Sequence, residues 1–214
     1  MPLTSALWRR LDEPHGLVHG AVSEMDPTPE QPDAAFLLDG AAIGADSPDD
    51  TGPILGERSD GTWGPVAATP PRPWSARFSV VVDARWQTRA CFLEALGGDG
   101  LERVTLAADA LGHWTLDGRD WPDLEGCSDV DISVTPLTNT LVVRRLGLAV
   151  GEERTVDVAW VDVPSLAVQR VAQTYRRESE DRWVYADPAY GAFSFTVDPL
   201  GVVREYQGLF ARVG

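Results

Sequence analysis

Residues Asp129–Leu148 read DVDISVTPLTNTLVVRRLGL. Asp129, Asp131, Ser133 and Thr135 alternate with Val130, Ile132 and Val134. That is the period-two pattern of a strand with one polar and one apolar face. Pro136 has no backbone N–H for a ladder, so the strand is expected to run from Asp129 to Thr135 and stop there. Thr138 and Asn139 then predict the cap of a short helix, Thr140–Leu146, closed by Gly147 in a left-handed conformation. Val142 and Val143 work against that helix, because β-branched side chains lose rotamer freedom in one. On this reading Asp129 and Asp131 share a strand face, about 7 Å apart. Arg144 and Arg145 leave the helix in different directions. One is expected to turn inward, where a buried carboxylate would need a partner.

Working outward, period-two apolar runs recur between Gly, Pro and Asp clusters, the mark of a largely antiparallel all-β chain. Strands are predicted over Phe78–Val82, Trp86–Leu96, Leu101–Ala108 and His113–Leu116. A further strand covers Thr155–Val163. Arg182–Tyr185, Ala192–Val197 and Val202–Tyr206 form a closing meander. Asp83-Ala84-Arg85, Asp109–Gly112, Asp117-Gly118 and Asp198–Gly201 supply the turns. The segment PSLAVQRVAQTYRR from Pro164 fits a helix or a strand; its neighbours favour a strand with Gln169, Val171, Gln173 and Tyr175 on one face. Residues 25–73 are rich in Pro, Gly and Asp. They predict long loops with short edge strands such as Ala34–Leu38. FSVVVD (Phe78–Asp83) and FSFTVD (Phe193–Asp198) agree at four of six positions. This suggests one domain, 1–214, built of two pseudo-repeats at about 1–96 and 97–214.

The 214 residues carry 43% hydrophobic side chains and eight tryptophans, enough for a sizeable core. Net charge is −15, and all 18 basic residues are arginine. So acidic a chain repels phosphate backbones and anionic membrane surfaces, which argues against a nucleic-acid partner. No run approaches the ~20 apolar residues of a membrane span, and the N-terminus lacks a signal-peptide core. A cytoplasmic location is expected, with Cys91 and Cys127 reduced and buried. His15, His19 and His113 are scattered without zinc-ligand spacing, so neither a metal nor a cofactor is expected.

The same central block resembles a known family. Cys127-Ser-Asp-Val-Asp131, TPLTNTL and RRLGL are similar to the bacterial family described as putative glycolipid-binding. Upstream stand Asp83-x-x-Trp86-x-Thr88-Arg89, Leu111-Gly-His-Trp114 and Leu116-Asp-Gly118. Downstream stand Val161-Asp-Val-Pro164-x-Leu166, Tyr175, Arg182-x-x-Tyr185 and Val197-Asp198-x-x-Gly201-Val202. The similarity covers about Trp74 to the C-terminus. It departs at Val142, where the pattern has Pro, and in the N-terminal third. The resemblance implies a fold like that of the Lol-system lipoprotein carriers: a duplicated, curved antiparallel sheet forming a half-barrel or barrel, with one or two short helices.

Three functions fit this reading. The first is a binding protein for a glycolipid or other amphipathic molecule held in a β-sheet cavity. Its polar lining would come from Asp129, Asp131, Asn139, Arg144, Arg145 and Arg89, and its aromatic walls from Trp86, Trp114 and Tyr175. The second is a hydrolase-like enzyme using Asp129 and Asp131 on a sugar or lipid. The sequence leans away from it, since no nucleophile–base motif supports the pair. The third is a structural or interaction protein whose polar strand is a solvated face. Composition and motifs leave the oligomeric state open.

Overall fold

The structure is a computed structural model that describes residues 2–13, 16–46, 55–57, 63–65 and 72–213. Fifteen strands form one sheet. In chain order they are β1 (Pro2–Arg10), β2 (Leu17–Glu24), β3 (Ala34–Asp46), β6 (Arg72–Asp83), β7 (Thr88–Gly97), β8 (Gly100–Ala108), β9 (Trp114–Leu116), β10 (Arg119–Asp120), β11 (Asp129–Ile132), β12 (Glu153–Val161), β13 (Val168–Arg177), β14 (Arg182–Asp187), β15 (Gly191–Val197), β16 (Val203–Tyr206) and β17 (Phe210–Arg212). Two short strands, β4 (Leu55–Glu57) and β5 (Trp63–Pro65), pair apart from it. The large sheet runs β10-β9-β8-β7-β6-β3-β2-β1-β17-β16-β15-β14-β13-β12-β11. It is a curved, open sheet, antiparallel throughout except that its edge strand β11 lies parallel to β12.

Curvature brings the far strand back to the first half. The Thr88 amide, at the start of β7, donates to the Ser128 carbonyl at 3.1 Å. The Thr88 hydroxyl accepts from the Val130 amide at 3.0 Å. Thr88 is thus a two-bond staple between β7 and β11, and it is 1% exposed.

The inner face is filled from within. Ala6, Gly20, Gly40, Phe78, Leu93 and Val104 form one inward row across β1, β2, β3, β6, β7 and β8. The row is smallest at Ala6, Gly20 and Gly40, its β1 end. A Cβ on Gly20 would sit 2.7 Å from Leu137 Cδ2. Leu137 belongs to the 3-10 turn Pro136–Thr138, which leads into α1 (Asn139–Leu146). Residues 136–143 are all buried. They plug the concave face, in one core with Trp8, Phe78, Leu93, Trp183 and Phe195.

The opening stretch differs in detail from its sequence reading. The strand ends at Ile132, four residues before Pro136. Thr135, extended, accepts the Leu137 amide at 3.2 Å and so caps the 3-10 turn. Thr138 does not cap α1; its hydroxyl is turned back to Asp131. Gly147 closes the helix with φ 51° and donates to the Val143 carbonyl, as expected. Eight residues with two adjacent valines do not hold a helix alone, so burial of this segment supplies its stability.

Other expectations divide. The Pro164 segment is a strand, β13, as its neighbours suggested. Ala34–Leu38 is not a short edge strand. It opens the 13-residue β3, paired on both sides by β2 and β6. Loop composition around it hid the inward alternation of Ala34, Leu38 and Ala42. The rest of the Pro-rich region and His15 lie largely outside the described residues. Asp83 and Asp198, which end the two FS-x-x-VD strands, play the same local part. Each accepts two amides of the following turn, Asp83 from Arg85 and Gln87 and Asp198 from Leu200 and Val202. Each also pairs with an arginine, Arg89 at 2.6 Å and Arg212 at 3.0 Å.

Gly→Ala in a strand normally gains about 0.5–1 kcal/mol. At Gly20 the clash with Leu137 reverses that sign, and Gly20→Ala is expected to cost about 1–3 kcal/mol in urea denaturation. In a Leu137→Ala background the same change should cost little or stabilise, giving a clear coupling energy in a double-mutant cycle. Additive effects would mean that the plug does not rest on Gly20.

Candidate functional site

The polar face of β11 splits its two aspartates between different tasks. Asp129 is 0% exposed, and both its oxygens accept from Arg145 Nε, at 3.1 and 3.0 Å; Arg145 Nη2 also contacts Oδ2. Ser128 donates a further hydroxyl bond to it at 2.8 Å. Arg145 sits in the last turn of α1, where the helix dipole favours a cation. The pair therefore ties the edge strand to the end of the plug.

Asp131, two residues on, meets no cation among the described residues. Thr138 Oγ1 donates to its Oδ1 at 2.8 Å, and Gln173 Nε2 to its Oδ2 at 2.7 Å. The network continues behind it. Tyr175 donates its hydroxyl to Gln173 Oε1 at 3.0 Å, and Asn139 Nδ2 donates to that hydroxyl oxygen at 3.0 Å. Tyr175 is fully buried. Desolvation pushes the Asp131 carboxyl above the usual aspartate range, against the pull of its two hydrogen-bond donors; nearby Asp129 and Asp187 push the same way.

Asp131 and Asn139 line a cavity of about 290 Å³, shared with Trp160, Tyr185, Asp187 and Tyr206. Asp187 is nine-tenths buried. Its Oδ2 accepts the Tyr185 hydroxyl at 2.6 Å, and its Oδ1 accepts the amides of Ala189 and Tyr190. Tyr206 is ringed by Tyr185, Phe193, Phe195 and Phe210, with centroids 5.3–6.3 Å away. Burial raises the Tyr185 and Tyr206 hydroxyl pKa values well beyond the ordinary tyrosine range, so both stay protonated.

The remaining candidates gather elsewhere. Arg89 and Trp114 line a wider cleft of about 800 Å³ near β7, β8 and β9, with Asp109, His113 and Trp121. Arg89 there is committed to Asp83 and, at 2.9 Å, to the Asp109 carbonyl. Trp114 is buried and donates to the Cys127 carbonyl at 3.1 Å. His113 and Asp109 bond at 3.0 Å in the open, and that contact with the local amides holds Asp109 below the usual carboxylate range. Arg144 lies over the Trp86 ring, 5.0 Å from its centre, and Trp86 stacks on Phe36 at 4.5 Å. This three-layer stack touches neither cavity. Cys91 and Cys127 are free and buried, and burial pushes both thiols up to about 12. Among the described residues no group of three His, Cys, Asp or Glu is placed to hold a metal. No helix among them is long and apolar enough to cross a membrane.

Sequence reasoning passed over Asp187, Tyr185, Gln173 and Thr138. A signal for Gln173 was available, since it shares a β13 face with Tyr175. Asp187 gave none: it reaches the Asp131 cavity only because β13 and β14 pair beside β11 and β12.

A curved sheet plugged by its own helix, with a small aromatic cavity at the plug's polar edge, defines a class of β-sheet binding scaffolds. The chain belongs to the family described as putative glycolipid-binding, which matches residues 61–212. In structure it is similar to a DUF1089 family protein from Pseudomonas aeruginosa, with a TM-score of 0.70 and 26% identity over 92% of each chain. No curated protein matches it.

Two outcomes test these roles. Arg145→Met strands the Asp129 carboxylate, and chemical denaturation should show a loss of about 3 kcal/mol; adding Asp129→Asn should restore part of it. Asp131 works in the opposite sense. Between the unfolded aspartate value of about 3.9 and its raised folded value, the folded state binds more protons than the unfolded one. Stability therefore falls as pH rises through that window. Asp131→Asn should remove this fall and leave the protein at least as stable at neutral pH, read as denaturation midpoints from about pH 4 to 7.

Proposed function

We propose that the protein binds an amphipathic molecule, a glycolipid or a related lipid, with its polar head group in the Asp131 cavity. One observation carries the reading. Asp131 is a desolvated carboxylate with no cationic partner among the described residues, at the wall of a cavity that it shares with the aromatic side chains of Trp160, Tyr185, Tyr190, Phe193, Tyr206 and Phe210. A carboxylate kept there at a stability cost, when asparagine would fit, is the signature of a site retained for a ligand. Family membership supports a binding role in general.

The plug sets the scale of the ligand. Residues 136–143 occupy the concave face, which leaves the Asp131 cavity as a small pocket at the plug's edge. About 290 Å³ lies at the lower end of the ~300–1,000 Å³ range of small-molecule pockets. It suits a head group of one ring. The apolar part would leave along Phe193, Leu209 and Phe210, which line the same cavity. Two free, buried thiols fit the reducing, cytoplasmic setting that belongs to this reading.

Of the nine residues expected to line a site, this proposal uses Asp131 and Asn139 directly, with Tyr175 behind them. Asp129 and Arg145 hold the wall, and Arg89, Trp86, Trp114 and Arg144 lie away from it.

Native mass spectrometry of freshly purified protein, followed by organic extraction, tests the reading. A co-purifying lipid should be found, and Asp131→Asn should reduce its occupancy several-fold with the melting temperature held. An empty wild-type protein that also fails to take up an offered alkyl glycoside would end the proposal.

A further inference from the structure

Among the carboxylates that line the Asp131 cavity are Asp131, part-buried on β11, and Asp187, buried at the end of β14. Neither forms an ion pair among the described residues; their partners are hydroxyls and amides that carry no charge. Two anions left together in a desolvated site repel each other and lack a counter-charge. Arg10 is the one cation at the cavity wall, and its guanidinium is already held by Asp12 at 2.7 Å and Glu13 at 2.8 Å.

Hydrogen-bond capacity leans the same way. Asp131 Oδ1 and Oδ2 each accept a single bond, and Asp187 Oδ2 accepts only the Tyr185 hydroxyl, so each oxygen keeps a free lone pair. Of the nearby donors, the Tyr185 hydroxyl is held by Asp187, the Tyr175 hydroxyl by Gln173, and one Asn139 amide hydrogen by Tyr175. Free acceptor sites on both carboxylates suit a ligand group that offers several donors. An ammonium only donates. Around the carboxylates stand the rings of Tyr185, Tyr206 and Trp160, whose faces attract cations.

From this combination of uncompensated carboxylates, free acceptor sites and aromatic walls, we infer that the head group bound in the Asp131 cavity carries a protonated amine. The inference rests on the proposed role of this cavity as the head-group site. It names the chemistry that role requires: an aminated head group, as on an amino sugar or an alkylamine-bearing lipid. The amine sits between Asp131 and Asp187, and the aromatic rings cover its carbon substituents.

Three probes with one tail separate the possibilities: octyl 6-amino-6-deoxyglucoside, its N-acetylated form, and octyl glucoside, titrated at neutral pH into the full chain by calorimetry. The amine should bind at least tenfold tighter than the other two. Asp131→Asn and Asp187→Asn should each erase most of that preference while the melting temperature stays within a few degrees. Asparagine keeps the side chain's size, so a change in selectivity without unfolding reads the charge alone. Equal binding of all three probes, reduced by both substitutions, would overturn the amine inference and leave the head-group site standing. Binding of all three that neither substitution alters would place the site elsewhere, and failure of every probe to bind would overturn both.

Discussion

Leu137 rests against the bare backbone of Gly20 at the centre of the inner face, and much of the structure follows from that contact. A long sheet curled on itself leaves a concave surface that must be covered. Here the cover comes from the same chain. Eight residues between an edge strand and a glycine cap are driven into the hollow, and β2 thins to Gly20 where Leu137 rests. The plug fills the hollow with core and leaves a small cavity at its polar margin.

That displacement explains why the two aspartates of one strand face behave so differently. Asp129 lies where the plug's last turn passes, so Arg145 neutralises it and the pair becomes a strut. Asp131 lies one pleat further on, beside the plug's first turn, where only Thr138 and Gln173 reach it. Desolvation without a counter-charge is costly, and the protein bears that cost where aromatic side chains from β14 and β16 open a cavity. The same curvature carries Asp187 to this place from a strand far away in sequence. Acid, amide, phenol and aromatic wall thus meet at one edge of the plug, while Arg89 and Trp114 are drawn off to a separate cleft near β9.

Much of the second half was legible because its strands obey simple alternation. Val161 and Val163, and Phe195 and Val197, are buried in alternation, and Asp198-Pro-Leu-Gly201 turns where its residue types say it must. The N-terminal half was harder. β3 reads as loop-like because Gly40, Ala41, Ala42 and Gly44 have little strand propensity, and those small residues are there to admit Phe78, Trp74 and the plug. Tertiary packing, which local propensity does not see, set their identity. The short strand 129–132 was overextended for a related reason. Ser133 and Thr135 continue the polar alternation, yet Thr135 is spent on capping the turn that sends the chain inward.

By itself, the sequence determined that this is an antiparallel β protein with a short capped helix after Pro136, and that Asp129, Asp131, Asn139 and the arginine pair belong to one unit. Those features follow from side-chain period, proline and glycine geometry, and charge, all of which act over a few residues. Tertiary structure alone decided that the helix plugs the sheet, that Arg145 rather than Arg144 takes the aspartate, and that Asp131 faces a cavity with Asp187 for company. These outcomes depend on which strands curvature brings together, and curvature is a property of fifteen paired strands at once.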